Sequence, residues 1–148
     1  MARSPVVIRG LLHPACGPVV RVHVEGSRSV LGVGILDTGA SMSVIDRDLA
    51  RSLALESPGA AEWAGVTDSG ARSMAALRRT RFGIAGDSRL YELDLLEAGG
   101  VRESVGGLDV LVLLGWDFLG QCRLVCDGPA GAFELQLPAP PRAASRRR

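Results

Sequence analysis

Ile35-Leu36-Asp37-Thr38-Gly39-Ala40-Ser41 decides how this chain is read. An apolar run ends in an acid, the acid is followed by a hydroxyl residue, and then comes a glycine free to adopt backbone conformations that side chains forbid. Upstream, Val20-Arg21-Val22-His23-Val24 alternates apolar and polar residues, the period-two pattern of a half-buried strand. Glu25-Gly26-Ser27 reads as a turn and Ser29 to Leu36 as a second strand, so the hairpin 19–36 delivers Asp37 to its end. Asp and Gly also occur at strand ends for purely local turn reasons. The reading therefore depends on what lies farther along the chain.

A second apolar run, Val110-Leu111-Val112-Leu113-Leu114, ends at Gly115 and leads into Trp116-Asp117-Phe118-Leu119, which reads as a short helix. Taken in this order, the Asp-Thr-Gly loop and the later Leu-Leu-Gly make residues 18–137 resemble the retroviral-type (retropepsin-like) aspartic proteases, of a bacterial single-domain kind. The resemblance implies an all-β domain, a closed barrel forming half of an acid protease, with one or two short helices.

It also implies chemistry. Two facing carboxylates share one proton because like charges a few ångströms apart cannot both ionise. The ionised one takes a proton from the attacking water and the protonated one donates to the substrate carbonyl. One Asp-Thr-Gly per chain supplies one acid, and the chain has about half the length of a two-lobed enzyme. A homodimer with Asp37 from each copy is therefore expected, two-fold dimers being the commonest assembly. By resemblance, Asp37, Thr38 and Gly39 form the catalytic loop, with Thr38 bonding across the axis. Ala40 and Ser41 would contact substrate, and Asp68-Ser69-Gly70 would tip a flap hairpin over residues 62–76. The substrate is a peptide or protein, and no cofactor or metal is expected. The alternative is a non-catalytic peptide-binding or dimerisation module on the same fold.

The remaining chain fits a turn-rich β protein. Its 148 residues suffice for one core, and nineteen glycines and eight prolines punctuate short Val/Leu runs. Pro5 to Ile8 is a possible edge strand within a separate N-terminal segment, 1–17. Met42 to Ile45 reads as a strand. Asp46 is an expected N-cap for a helix from Arg47 to Leu55, ended by Pro58-Gly59. Arg78 to Ile84 and Leu90 to Leu96 are further strands, and Gly99 to Gly107 is a loop. Leu124 to Cys126 and Ala132 to Leu137 form a last hairpin, whose second strand is the expected place for intermolecular pairing. Residues 138–148, rich in Pro, Ala and Arg, are expected to remain disordered.

Other functions find less support. The net charge of +1 gives no pull toward nucleic acid or acidic membranes, and all seventeen basic residues being arginine reads as the coding bias of a GC-rich bacterial genome. The longest apolar run is too short to span a bilayer. Three cysteines make no disulfide framework, so the setting is expected to be cytoplasmic. Gly32-Val33-Gly34 lacks the third glycine and the following helix of a dinucleotide loop. His13, Cys16, His23, Cys122 and Cys126 are candidate metal ligands by type, but on a strand the last two stand about 13 Å apart. Asp117 reads as a cap or dipole partner of the short helix, a second acid paired with Asp37 being the rival. Trp63, Trp116 and Phe118 read as core or flap packing, and Arg78, Arg79 and Arg81 as a solvated strand face.

Overall fold

A computed structural model describes residues 4–64 and 72–139, and it is mostly β. The strands are β1 (Val7–His13), β2 (Gly17–Glu25), β3 (Ser29–Leu36), β4 (Val44–Asp46), β5 (Ala60–Ala64), β6 (Arg72–Ile84), β7 (Leu90–Ala98), β8 (Val110–Leu114), β9 (Arg123–Asp127) and β10 (Ala132–Gln136). Two short helices, α1 (Arg47–Ser52) and α2 (Trp116–Leu119), follow β4 and β8.

Strands are hydrogen-bonded in the order β5-β6-β7-β4-β8-β3-β2-β1-β10-β9. A further pairing of β6 with β2 closes β6, β7, β4, β8, β3 and β2 into a six-stranded barrel. Period-two patterning fills its inside: Val20, Val22 and Val24 of β2 are buried and Arg21 is exposed. Leu36, Ile45, Phe82, Ile84, Leu95, Leu111 and Leu114 complete that core. Each such side chain contributes about 2 kcal/mol by leaving water. Phe118 of α2 closes one side, meeting Phe82 at 5.6 Å and Tyr91 at 5.3 Å between ring centroids.

Two parallel pairings position the site. β3 runs alongside β8, and β4 runs alongside β7, while β4 and β8 are antiparallel. The chain therefore leaves β3, loops past the end of β8 and returns as β4 on the far side of β8. Gly32, set aside as a dinucleotide residue, has a packing reason instead. A Cβ there would stand 2.6 Å from Leu111 Cγ and 2.7 Å from the Asp109 carbonyl.

Several expectations change. β1 is no edge strand. It pairs with β10 over five residues, Val7 opposite Gln136 through Leu11 opposite Ala132, and with β2 at Leu12 and His13. β10 thus has β1 on one side and β9 on the other, so both its edges are filled within the chain. Intermolecular pairing through β10 is accordingly corrected, and the edge at that end of the sheet belongs to β9. β6 is one continuous strand of 13 residues instead of a flap arm followed by a separate strand. Its first part pairs with β5 and its second with β7 and β2.

Helix α1 is shorter than expected, ending at Ser52 instead of Leu55. Ala54 adopts φ 53°, and the chain reverses through Ala54 N–H to Arg51 O (3.0 Å) and Leu55 N–H to Ala50 O (3.1 Å). This pair of bonds is the Schellman stop. It is driven by burial of both Leu53 and Leu55, which a continued helix would point to different sides. At its start the Asp46 cap holds: Oδ1 accepts from Leu49 N–H at 3.0 Å. Arg78 does not lie on a solvated face. It joins Arg47 and Arg51 around the buried Glu97 carboxylate, donating from Nε at 2.8 Å. Burial disfavours the Glu97 anion, but hydrogen bonds and charge from Arg78 and Arg51 outweigh it and lower its pKa.

Candidate active site

Asp37 stands where β3 ends beside β8, its amide donating to the Leu114 carbonyl at 2.8 Å. The turn after it is closed locally. Gly39 N–H donates to Asp37 Oδ1 at 2.9 Å, and Ala40 N–H to the Asp37 carbonyl at 3.2 Å. Asp37 is half-buried, whereas Thr38, Gly39 and Ser41 are exposed. The structure thus brings Asp37 to Ser41 together on one open loop. The Thr38 hydroxyl has no hydrogen-bond partner among the described residues.

The end of β8 supports this loop from behind. A Cβ on Gly115 would come within 2.6 Å of the Ala40 carbonyl and 3.0 Å of the Met42 backbone, so only glycine allows this approach. The first residues of α2 then bind the loop: Trp116 N–H to Ala40 O at 2.9 Å, Asp117 N–H to Ser41 O at 3.2 Å, and the Trp116 indole Nε1–H to Thr38 O at 2.6 Å.

Ser43 ties loop and helix together, and sequence reasoning missed it. Its side chain is fully buried. Its Oγ donates to Asp117 Oδ1 at 2.5 Å and accepts from Gly115 N–H at 2.9 Å, while its own N–H donates to Asp117 Oδ2 at 2.9 Å. A lone polar residue in the apolar run Met42-Ser43-Val44-Ile45 was the available signal. The same bonds revise Asp117. Beyond sitting in the first turn of α2, it braces the chain entering β4, and Ser43 occupies both its oxygens. Such a brace ties the loop to α2.

The tryptophan reading is also revised. Phe118 is core, but Trp116 is 53% exposed and bonded to the Asp37 loop, and Trp63 on β5 is 42% exposed. Asp68, Ser69 and Gly70 lie outside the described residues. β5 and β6 frame that interval, pairing antiparallel from Ala60 opposite Ala76 to Ala64 opposite Arg72. The cysteines are free, and burial pushes the Cys122 thiol up to about 11, which keeps it protonated and unreactive. Among the described residues no three histidines, cysteines or acids converge as a metal site, and no helix is long and apolar enough to cross a membrane.

A closed barrel that presents Asp-Thr-Gly at the end of one parallel strand, with a glycine and a short helix behind it, defines the retropepsin-like fold. The family model described as aspartyl protease matches residues 20–118, and the chain belongs to that family. It is similar to a retropepsin-like aspartic protease from Rickettsia conorii, with a TM-score of 0.53 at 16% identity over 93% of this chain and 98% of that one. The retroviral protease-like domain of Ddi1 from Leishmania major is also similar, with a TM-score of 0.45 at 15% identity over 85% of this chain and 97% of that one. No curated protein matches.

Proposed function

We propose that the protein is an aspartic endopeptidase that works as a homodimer, with Asp37 of each copy forming the catalytic dyad. The observation that carries the proposal is the half-buried Asp37 carboxylate on a loop clamped from behind by Gly115 and α2, with Thr38 and Gly39 exposed beside it. Each chain offers one such loop, and water activation by carboxylates needs an acid and a base together. A two-fold axis beside Thr38 would bring the two loops face to face and give its hydroxyl a partner across the axis.

In the resulting pair one carboxylate is ionised and takes the proton from water as the oxygen attacks the peptide carbonyl. The other is protonated and donates to the carbonyl oxygen. Breakdown of the tetrahedral intermediate needs a proton on the leaving nitrogen, which the dyad supplies. Gly39, Ala40 and Ser41, together with Asp68, Ser69 and Gly70, are the proposed contacts to the substrate backbone.

The test is cleavage of a peptide library by the wild type and Asp37→Asn side by side, with sedimentation of both. Cleavage by the wild-type dimer and none by the equally dimeric variant is the expected result. Peptide binding without cleavage by either would establish the non-catalytic module instead. Cleavage by a monomer would remove the dyad from the mechanism.

A further inference from the structure

We propose that Trp116 is a positioning residue for Asp37, acting through the peptide group between Thr38 and Gly39. The inference rests on Asp37 being the reacting acid. The indole Nε1–H donates to the carbonyl oxygen of Thr38 at 2.6 Å. That carbonyl and the Gly39 N–H are the two ends of one planar, conjugated amide. The Gly39 N–H in turn donates to Asp37 Oδ1 at 2.9 Å. The path from indole to carboxylate therefore crosses a single peptide plane.

Two effects follow from that connection. Because the plane is rigid, holding its oxygen fixes the direction of its N–H and so the place of Oδ1. Because the amide is polarised when its oxygen accepts a bond, its N–H becomes a better donor to the carboxylate. Trp116 also donates its backbone N–H to the Ala40 carbonyl at 2.9 Å, so it holds the carbonyls on both sides of Gly39. Glycine needs such external restraint, since its own backbone is the least restricted of any residue.

Burial does not account for this tryptophan. It is 53% exposed, whereas its neighbours Phe118 and Leu119 are each 3% exposed and supply the packing of α2. The polar end of the indole faces the loop, and much of the ring stays in solvent.

The test compares Trp116→Phe with Trp116→Gln in the full chain. Phenylalanine keeps a ring and removes the donor. Glutamine removes the ring and keeps an N–H the same number of bonds from Cβ. The expected result is a fall of about tenfold in kcat for Trp116→Phe with KM little changed, and recovery of most of that loss in Trp116→Gln. The Gly39 amide proton resonance should move upfield in the Phe variant and return toward the wild-type position in the Gln variant. Equal losses in both variants, tracking their melting temperatures, would reduce Trp116 to packing. An unmoved Gly39 resonance in folded Trp116→Phe would overturn the proposal. Should the wild type cleave no peptide, the peptidase reading fails, and the Gly39 resonance alone still decides whether the indole sets this peptide.

Discussion

β3 and β8 run in parallel and stop side by side, yet their ends are built for opposite purposes. Beyond β3 the chain carries an acid, a hydroxyl residue and a glycine, and Thr38 and Gly39 stand open to solvent. Beyond β8 it carries a glycine in contact with backbone and a helix turn whose acid is fully engaged by Ser43. Two carboxylates thus follow two similar strands, one on an open loop and one committed to structure. The difference lies in their surroundings: Ser43, a buried neighbour, holds both oxygens of Asp117, whereas the Asp37 carboxylate accepts from the adjacent Gly39 N–H on the open loop.

The most severe way to test this contrast is at the open end. Asp37→Asn should lower peptide cleavage by at least about 10³-fold while the melting temperature stays within a few degrees of wild type. Kinetics and calorimetry on the same preparation check both halves. If stability collapses instead, the two strand ends are not divided as described.

The braced end should behave in reverse. Ser43→Ala leaves the Gly115 N–H and Asp117 Oδ1 without their buried hydroxyl partner, while the residue-43 N–H still reaches Oδ2, at a cost of about 2 kcal/mol. Denaturant unfolding should show that loss, with activity falling because the loop behind Asp37 loosens. A variant as stable as wild type would mean that Asp117 finds water or another donor.

Glu97 sharpens the comparison from a third place, away from both strand ends. Its pKa is lowered in the fold, with the arginine partners prevailing over burial. A lowered carboxylate adds stability that is complete above its unfolded value of about 4.3 and is lost as pH falls through the folded value. The wild type minus Glu97→Gln difference should therefore be about 2 kcal/mol at neutral pH and shrink below about pH 4. Unfolding curves at several pH values measure it, and taking the difference removes the similar contribution of Asp87, whose pKa is also lowered. A difference that does not change with pH would show that charge has no part in it.

The smallest effect is expected at Ala54, in the stop that follows α1. Its left-handed backbone penalises a Cβ by about 1 kcal/mol, and glycine returns part of this as extra unfolded-chain entropy. Ala54→Gly should gain about 0.5 kcal/mol and leave cleavage unchanged.

Much of the barrel was legible because a half-buried strand writes itself as period two, as at Val20 to Val24, and a strand buried on both faces as a nearly continuous apolar run, as at Leu108 to Leu114. The candidate loop stood out because Asp-Thr-Gly combines an acid with a backbone requirement. What escaped depends on contacts between residues far apart in the chain. Ser43 meets Asp117 across 74 positions, and the Trp116 indole meets Thr38 across 78. Neither separation leaves a local pattern. For β10 the hairpin with β9 was legible; what escaped is that β1 of the same chain fills its other edge instead of leaving it for a second copy. The length of α1 was misread because helix periodicity continues through Leu53 and Ala54, and only the burial of Leu55 turns the chain.

The unbroken β6 strand carries a mechanical consequence. Its early residues form one leg of the β5–β6 arm, and its later residues are a stave of the barrel. A leg that continues into a stave has no joint at its root, so a load on the arm passes into the wall as torsion. The other leg differs, entering β5 through Pro58 and Gly59 from a segment tied to β6 by Leu77 N–H to the Gly59 carbonyl and Arg79 N–H to the Glu56 carbonyl, both at 2.8 Å. Both legs are thus anchored to the barrel wall, one by continuity and one by backbone bonds to the same strand.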